Sequence, residues 1–401
     1  MDQTADVVVI GGGVVGTSIA YFLAKRNMDV TLVEKGGIAA GTSGRCDGNV
    51  MLNDTLPGYD CQLKKMSQDL FPVLANELDF DIGWSRRGSV LVIESDAEME
   101  VARKYCGQMQ ALDLPARILD RQELLDDEPL LASDITGGME MACDGAINPM
   151  AMSQGLAYGA EKLGAKIMTH SAICEIQKDA RGHVERVVTD GGDILAPNVV
   201  NAAGIWAGEV GRMVGIELPI QPRQGQLIVG ERSFRIGKRK LQEFGYIMSK
   251  FERDDYERSL TPEMEKYGVA FVFEPTEPGT FLIGSSRWFA GRNTANSMEV
   301  LRCIAQRAIR FLPVLKDVKF IRTYAGLRPY SPDHFPIVSD TPVPGYYVAA
   351  GHEGNGIGLA PITGQLIVEM ISGEEPTIDV APLRFSRFAG SDDSLKGGGR
   401  H

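Results

Sequence analysis

One stretch near the N-terminus constrains this chain more than any other. Asp6-Val-Val-Val-Ile10 is an apolar run, and Gly11-Gly-Gly-Val-Val-Gly16 follows without a break. The pattern is Gly-x-Gly-x-x-Gly, with Gly11, Gly13 and Gly16 in the fixed places. Gly11 permits the tight turn out of a strand, Gly13 lets a pyrophosphate approach the backbone, and Gly16 lets the next helix pack on that strand. The helix is predicted from Val14, with Val15 in its first turn, to about Arg26. Its free amides and positive dipole end face the phosphates. A second strand, Asp29-Val-Thr-Leu-Val-Glu34, ends in a carboxylate 23 residues after Gly11 (34 − 11 = 23). An acid there accepts hydrogen bonds from a ribose and disfavours a 2′-phosphate, which argues against NADP. Glycine-rich turns are common, so a merely structural turn is the competing reading. The strand before, the helix after and the acid beyond favour dinucleotide binding.

The chain has 401 residues, 44% hydrophobic and 23% charged, enough for two domains with sizeable cores. A net charge of −12, with no basic stripe carrying interleaved aromatics, disfavours nucleic acid as a partner. The cysteines, Cys46, Cys61, Cys106, Cys143, Cys174 and Cys303, form no Cys-x-x-Cys pair. Neither a zinc nor an iron–sulfur site is readable, and no metal is expected. Scattered cysteines fit a reducing cytoplasm. No apolar run approaches the ~20 residues that span a bilayer. The acidic N-terminus is unlike a signal peptide. The expected location is the cytoplasm, with peripheral membrane association left open.

After Glu34, residues 36–49 are small, polar and glycine-rich. Such a loop lets backbone amides and short hydroxyls wrap an extended charged group; a solvated surface loop is the alternative. Helical spacing of Leu63, Met66, Leu70, Leu74 and Leu78 predicts a helix over 60–80, with Pro72 as a kink. A strand at 90–93 and helices at 97–112 and 121–125 follow. A helix over 152–163 is closed by Gly164. Segments 166–168, 171–176, 184–188 and 193–195 read as a β-meander. Asn198-Val-Val-Asn201 is a buried strand that runs into Ala202, Ala203, Gly204 and Trp206. Small residues at a strand's carboxyl end let a ligand lie close. From 216 to about 320 the pattern turns antiparallel, with strands at 225–229, 246–248, 269–273 and 280–283. A charged insertion spans 250–266. A helix over 297–312 opens with Asn296-x-x-Glu299, close to a capping box. This block suits the floor or wall of a substrate site. Tyr346 to Pro361 then repeats the strand, glycine turn and helix start, with Pro361 tolerated in the first turn. The polar, glycine-rich end, Ser391 to His401, is expected to be disordered.

The order of these motifs resembles the FAD-dependent amino-acid and amine oxidoreductases of the D-amino-acid oxidase superfamily. The resemblance runs from about Asp6 to Ile371. It rests on Gly11–Gly16 with Glu34, Thr42-Ser-Gly-Arg-Cys-Asp-Gly48, Ala202-Ala-Gly204, Ala325-Gly-Leu-Arg-Pro329 with Pro332-Asp333, and Ala350-Gly-His-Glu-Gly-Asn-Gly356. It implies an α/β fold in which a Rossmann-like FAD-binding domain (1–55, 145–215, 321–380) is interleaved with a mainly antiparallel α+β substrate domain (56–144, 216–320), before a tail at 381–401. Gly11, Gly13, Gly16, Glu34 and its neighbour Lys35 would hold the ADP half, and Ile173 the adenine. Thr42, Ser43, Gly44, Arg45, Cys46, Gly48 and Asn49 would run along the pyrophosphate. Glu353, Gly354, Asn355, Gly356 and Ile357 would sit at the flavin, where the helix dipole favours accepting a hydride.

Arg328 matches the family's carboxylate-binding arginine, whose guanidinium forks onto a carboxylate bidentately. Pairing with an acid such as Asp333 is the structural alternative. Tyr246 is a second substrate candidate, or else a core tyrosine. His334 and His352 are as readily structural as catalytic. The covalent flavin anchors known in the family fall at Gly326 and near Arg45, so FAD is expected to be noncovalent, with Cys46 the remaining candidate attachment point. A second arginine of the glycine-oxidase type falls at Gly354, and its loss would open the pocket while Glu353 adds negative charge. The lysine credited with oxygen activation in sarcosine oxidases falls at Leu282. The form of the last cluster is most like β subunits of multi-subunit proline, hydroxyproline, opine or cyanide-forming glycine dehydrogenases. The resemblance therefore implies C–N oxidation of a carboxylate-bearing amine, with electrons leaving to a partner subunit carrying a second flavin or an iron–sulfur cluster. An oxygen-using oxidase and a flavin-carrying scaffold without its own substrate are the alternatives.

Overall fold

Val7–Ile10 is apolar at every position because both faces of the strand are covered. The computed structural model describes residues 3–232, 236–248 and 258–388. Part of the 250–266 insertion and the tail from Ser391 lie outside them. Val7–Ile10 lies inside a six-stranded sheet in the order Lys166–Met168, Val30–Val33, Val7–Ile10, Asn198–Asn201, Tyr346–Ala350, Ile337–Asp340. Its neighbours run parallel except the last pair. Val7 and Val9 join one core with the helices Val14–Lys25, Tyr59–Glu77, Pro149–Lys162 and Gly356–Ser372. Val8 and Ile10 face a second core with Val187 and Ile194 of a small four-stranded sheet. The period-two alternation of a strand thus distributes one apolar run between two layers.

A second, larger sheet has eight strands in the order Phe320–Tyr330, Gln221–Gly230, Phe281–Gly284, Val272–Pro275, Lys240–Glu243, Ser89–Ile93, Gly137–Met141, Ala116–Asp120. All its pairs are antiparallel except Lys240–Glu243 with Ser89–Ile93. Helix Met298–Phe311 packs on it through Ile304 and Phe311 against Phe271 and Phe281. No described helix is long and apolar enough to cross a membrane.

Four local expectations change. Lys166–Met168 pairs with Val30–Val33 and extends the six-stranded sheet instead of joining the meander. Residues 246–248 form a helical turn, Gly245–Met248, where Phe244's carbonyl accepts from the Ile247 amide at 2.7 Å. Three apolar residues carry no period, so strand and turn could not be told apart. The cap of the late helix is Ser297, whose hydroxyl accepts from the Val300 amide, while Asn296 reaches across to Thr323. Finally, strand Phe320–Tyr330 lies wholly in the large sheet, and helix Tyr59–Glu77 packs with the first helix through Leu63, Phe71 and Leu74.

A buried charge network ties the large sheet to its helix. Glu243 is fully buried and accepts from the Phe271 amide and from Arg307 Nε, both at 2.8 Å. Arg258 also pairs with Glu243, and Arg307 with Glu94. Removing one member leaves uncompensated buried charge. Glu243→Ala is therefore expected to lower unfolding stability by about 3–5 kcal/mol, read from denaturant midpoints. An unchanged midpoint would show that the network contributes nothing net.

Candidate active site

The glycine turn shows why side chains are excluded there. Gly11 has φ +114°, and a Cβ on it would lie 2.6 Å from the Ala202 carbonyl oxygen. A Cβ on Gly16 would lie 1.9 Å from the Gly11 carbonyl oxygen. Helix and strand approach this closely only because both positions are glycine. Glu34 is braced by two amides: Gly12 donates to Oε2 and Gly36 to Oε1, each at 2.7 Å. Each oxygen keeps a second lone pair for a ligand. The Ser43 hydroxyl accepts from the Val14 amide at 3.0 Å, so it ties the loop to the helix start. Thr42 donates to the Leu327 carbonyl at 2.6 Å and Tyr324 to the Cys46 carbonyl at 3.3 Å, which straps the loop to the large sheet. Lys35 Nζ sits 3.5 Å from the Trp206 ring centroid.

These elements enclose a cavity of about 480 Å³. From the first motif it is lined by Gly11, Gly13, Val14, Val15, Glu34 and Lys35. Thr42, Ser43, Arg45, Cys46 and Asn49 line it from the loop, and Ile173, Ala202, Ala203, Gly204 and Trp206 from the strand ends. Glu353, Gly354, Asn355, Gly356 and Ile357 complete it with Arg328 and Tyr246. Gly16, Gly44 and Gly48 do not line it. A Cβ on Gly44 would lie 2.3 Å from the Ala39 carbonyl oxygen, and one on Gly48 1.8 Å from that of Ile147. These three glycines serve backbone packing. Both amide atoms of Asn49 are buried without a partner, as expected of a group that awaits a polar ligand. A Cβ on Gly326 would lie 2.4 Å from the Arg45 carbonyl oxygen, so no cysteine anchor fits there. Burial holds the Cys46 thiol far above its ordinary pKa and therefore protonated.

Arg328 lies on Phe320–Tyr330 directly opposite Arg223 on Gln221–Gly230. Its Nη1 donates to the Ser286 carbonyl at 2.9 Å. Among the described residues no carboxylate pairs with it. Asp333 is instead held by Arg387, at 2.6 Å from Nε and 3.2 Å from Nη2. Burial, with the neighbouring Arg287 and Arg223, pushes the Arg328 pKa down to about 10, which still leaves it charged at neutral pH. Arg223 pairs with Glu353 at 3.0 Å, and Glu353 also hydrogen-bonds His334 at 2.9 Å. Burial alone would raise the Glu353 carboxyl, but His334 and Arg223 hold it below the ordinary carboxylate range. Its charge is thus compensated within the protein and is not added to the pocket. Arg287 donates to the Tyr246 hydroxyl, with its guanidinium carbon 3.7 Å from the ring centroid. His352 is buried and pushed down to about 4, so it is neutral, and its Nε2 meets Thr363 Oγ1 at 3.0 Å. It fixes the turn before the last helix.

Arg223, Arg287, Lys240 and Gly225 also line the cavity, and sequence reasoning did not select them. A Cβ on Gly225 would lie 2.1 Å from Arg328 Nη1, so the guanidinium rests on a bare backbone. Arg223-x-Gly225 shares a strand face by the period of two, but only the strand register brings Arg328 over it. Gly225→Ala is therefore expected to unseat Arg328 and weaken a carboxylate ligand by about 10- to 100-fold, the worth of a charged hydrogen bond, with bound cofactor unchanged. Equal ligand affinity in the variant, measured by titration, would remove the seat from the site.

Residues 6–370 match the family model described as FAD dependent oxidoreductase. The chain is 28% identical to the glycine oxidase of Geobacillus kaustophilus over 97% of its own length and 99% of that protein's. The crystal structure of glycine oxidase from that organism superposes with a TM-score of 0.84 at 25% identity, covering 96% of this chain and 99% of that one. Hydrogen cyanide synthase subunit HcnC of Pseudomonas aeruginosa is 28% identical over 97% of each chain. The L-proline dehydrogenase structure from P. horikoshii shares the fold, with a TM-score of 0.86 at 24% identity over 97% and 99% of the two chains. With the glycine cradle, the braced Glu34 and the shared cavity, these matches place the chain in the DAO family of FAD-dependent oxidoreductases.

Proposed function

We propose that this protein oxidises the C–N bond of an amino or imino acid. The observation that carries the reading is Arg328: a half-buried, charged guanidinium lines the FAD cavity and, among the described residues, pairs with no carboxylate of the protein's own. A bare flavin scaffold has no use for such a group. The glycine oxidase of Geobacillus kaustophilus acts, by its name, on the simplest amino acid, and 99% of its length aligns.

The chain fits FAD. Gly11, Gly13, Val14 and Glu34 would hold the ADP half, Ile173 the adenine, and Asn49 would satisfy its two unpartnered amide atoms on the cofactor. Bound FAD supplies the acceptor for a hydride from the substrate carbon. The protein's own part is orientation. A bidentate contact from Arg328 fixes the carboxylate and hence the direction of the Cα–H bond. The Ser286 carbonyl and Gly225 fix Arg328. Tyr246, held by Arg287, forms part of the cavity wall. The two-domain division also stands as a proposal, with 320–330 assigned to the large sheet and 59–77 to the first core.

For the electrons' exit we favour a dehydrogenase that passes them to a partner subunit with a second flavin or an iron–sulfur cluster. The resemblance puts the oxygen-activating lysine of sarcosine oxidases at Leu282, which does not line the cavity. One relative is itself named as a subunit. One observation favours an oxidase: Lys240 does line the cavity, from another strand of the same sheet.

Acid precipitation is expected to release all the yellow colour as free FAD, because Gly326 excludes a cysteine and Cys46 stays a thiol. Colour kept in the pellet would mean a covalent flavin. Anaerobic mixing with a panel of D-, L-, N-methyl and cyclic amino acids should bleach the flavin with at least one of them; none doing so overturns the proposed activity. Reoxidation by air-saturated buffer should then be slower than turnover with an artificial acceptor. Reoxidation that keeps pace, releases stoichiometric hydrogen peroxide and is slowed in Lys240→Met would establish the oxidase.

A further inference from the structure

Three guanidinium groups line this one cavity: Arg223, Arg287 and Arg328. Arg223 and Arg328 are register partners on adjacent antiparallel strands, where like charges directly opposite each other are destabilising. Burial strengthens that repulsion, and both neighbours hold the Arg328 pKa down. Arg223 is compensated by Glu353. Asp47 acts on Arg328 in the opposite sense, but after both arginines. Arg287 meets the ring and hydroxyl of Tyr246 and acts on Glu353 only from beyond ion-pair distance, so among the described residues no carboxylate is paired with Arg287 or Arg328. The cavity is therefore lined by two half-buried guanidiniums, Arg287 and Arg328, that among the described residues pair with no acid. A single carboxylate answers one of them.

We infer that the substrate carries two carboxylates flanking its amine, one seated on Arg328 and the other on Arg287. The inference rests on the amino-acid reading above and narrows it. Two features set the geometry. Gly225 lets the Arg328 guanidinium lie against the strand Gln221–Gly230, and the Ser286 carbonyl holds it there. Arg287 is the next residue after Ser286, so both anion sites are referred to the same stretch of backbone. The space beside Arg328 is open on the side of Gly354, where even an added Cβ would come no nearer than 3.7 Å to Nε. The second carboxylate can belong to the substituent on nitrogen, as in N-carboxyalkyl amino acids, or to the side chain, as in acidic amino acids.

The test titrates the holoenzyme with redox-inert acids and follows the perturbed flavin spectrum and the heat released. Acetate and propionate are the single-anion probes; malonate, succinate and thiodiacetate are the double-anion probes. The double-anion probes should bind about 10- to 100-fold tighter, the worth of one further charged bidentate contact. Arg287→Met should collapse that ratio toward one, Arg287→Lys should restore part of it, and Arg328→Met should weaken both classes. Equal binding of the two classes to the wild type, or a loss in Arg287→Met that is the same for both, overturns the inference. Anaerobic bleaching separates this from the parent reading. Bleaching by iminodiacetate supports the nitrogen-substituent source and bleaching by aspartate or glutamate the side-chain source. Bleaching only by one-carboxylate amino acids defeats the two-anion inference and leaves amino-acid oxidation standing. Tight double-anion binding with no bleaching by any amine defeats the oxidation reading and leaves the two-anion site standing.

Discussion

The architecture depends on one close approach, that of the first helix to the first strand. The helix can direct its free amides at a ligand only if it sits almost on the strand it leaves. The missing Cβ atoms at Gly11 and Gly16 make that distance attainable. With the helix there, the Val14 amide reaches Ser43, the loop is pinned, and the loop carries Thr42 across to Leu327 of the other sheet. The placement of two sheets relative to each other is thus referred back to a contact inside one turn.

The substrate side is governed by the opposite problem, how to keep charge inside. Arg223 has a carboxylate, Arg287 an aromatic face and a hydroxyl, Arg328 a carbonyl. The resemblance puts the second arginine of the glycine-oxidase type at Gly354 and implies a pocket opened by its loss. The sheet supplies positive charge from Arg223 and Arg287 instead, and Glu353 is engaged by Arg223 and His334. The pocket's positive charge comes from strand and loop positions that no single motif marks, so alignment of single positions understates what the pocket contains.

The nucleotide half was legible because its rules are local. Glycine spacing, an apolar run and an acid at a fixed offset each need only a few neighbouring residues. The arginine cluster was not legible, since residues 223, 287 and 328 become neighbours only through strand register. The same limit hid Gly225, whose role exists only once Arg328 lies over it. Short apolar runs failed for a different reason: residues 246–248 have no period to read.

The first and last long helices are joined in a way that bears on how the protein is made. Ser18 donates to the Ala360 carbonyl at 2.8 Å, across 342 residues of sequence. At the same crossing, Gly364 leaves room for Phe22 and Ser18, where a Cβ would come within 2.7 Å of each. The wall built by 353–357 is carried by this second helix. A ribosome therefore releases the glycine turn more than three hundred residues before the helix that completes its cavity (356 − 16 = 340). Until that helix is made the cradle is only half built, so the first motif alone cannot enclose FAD.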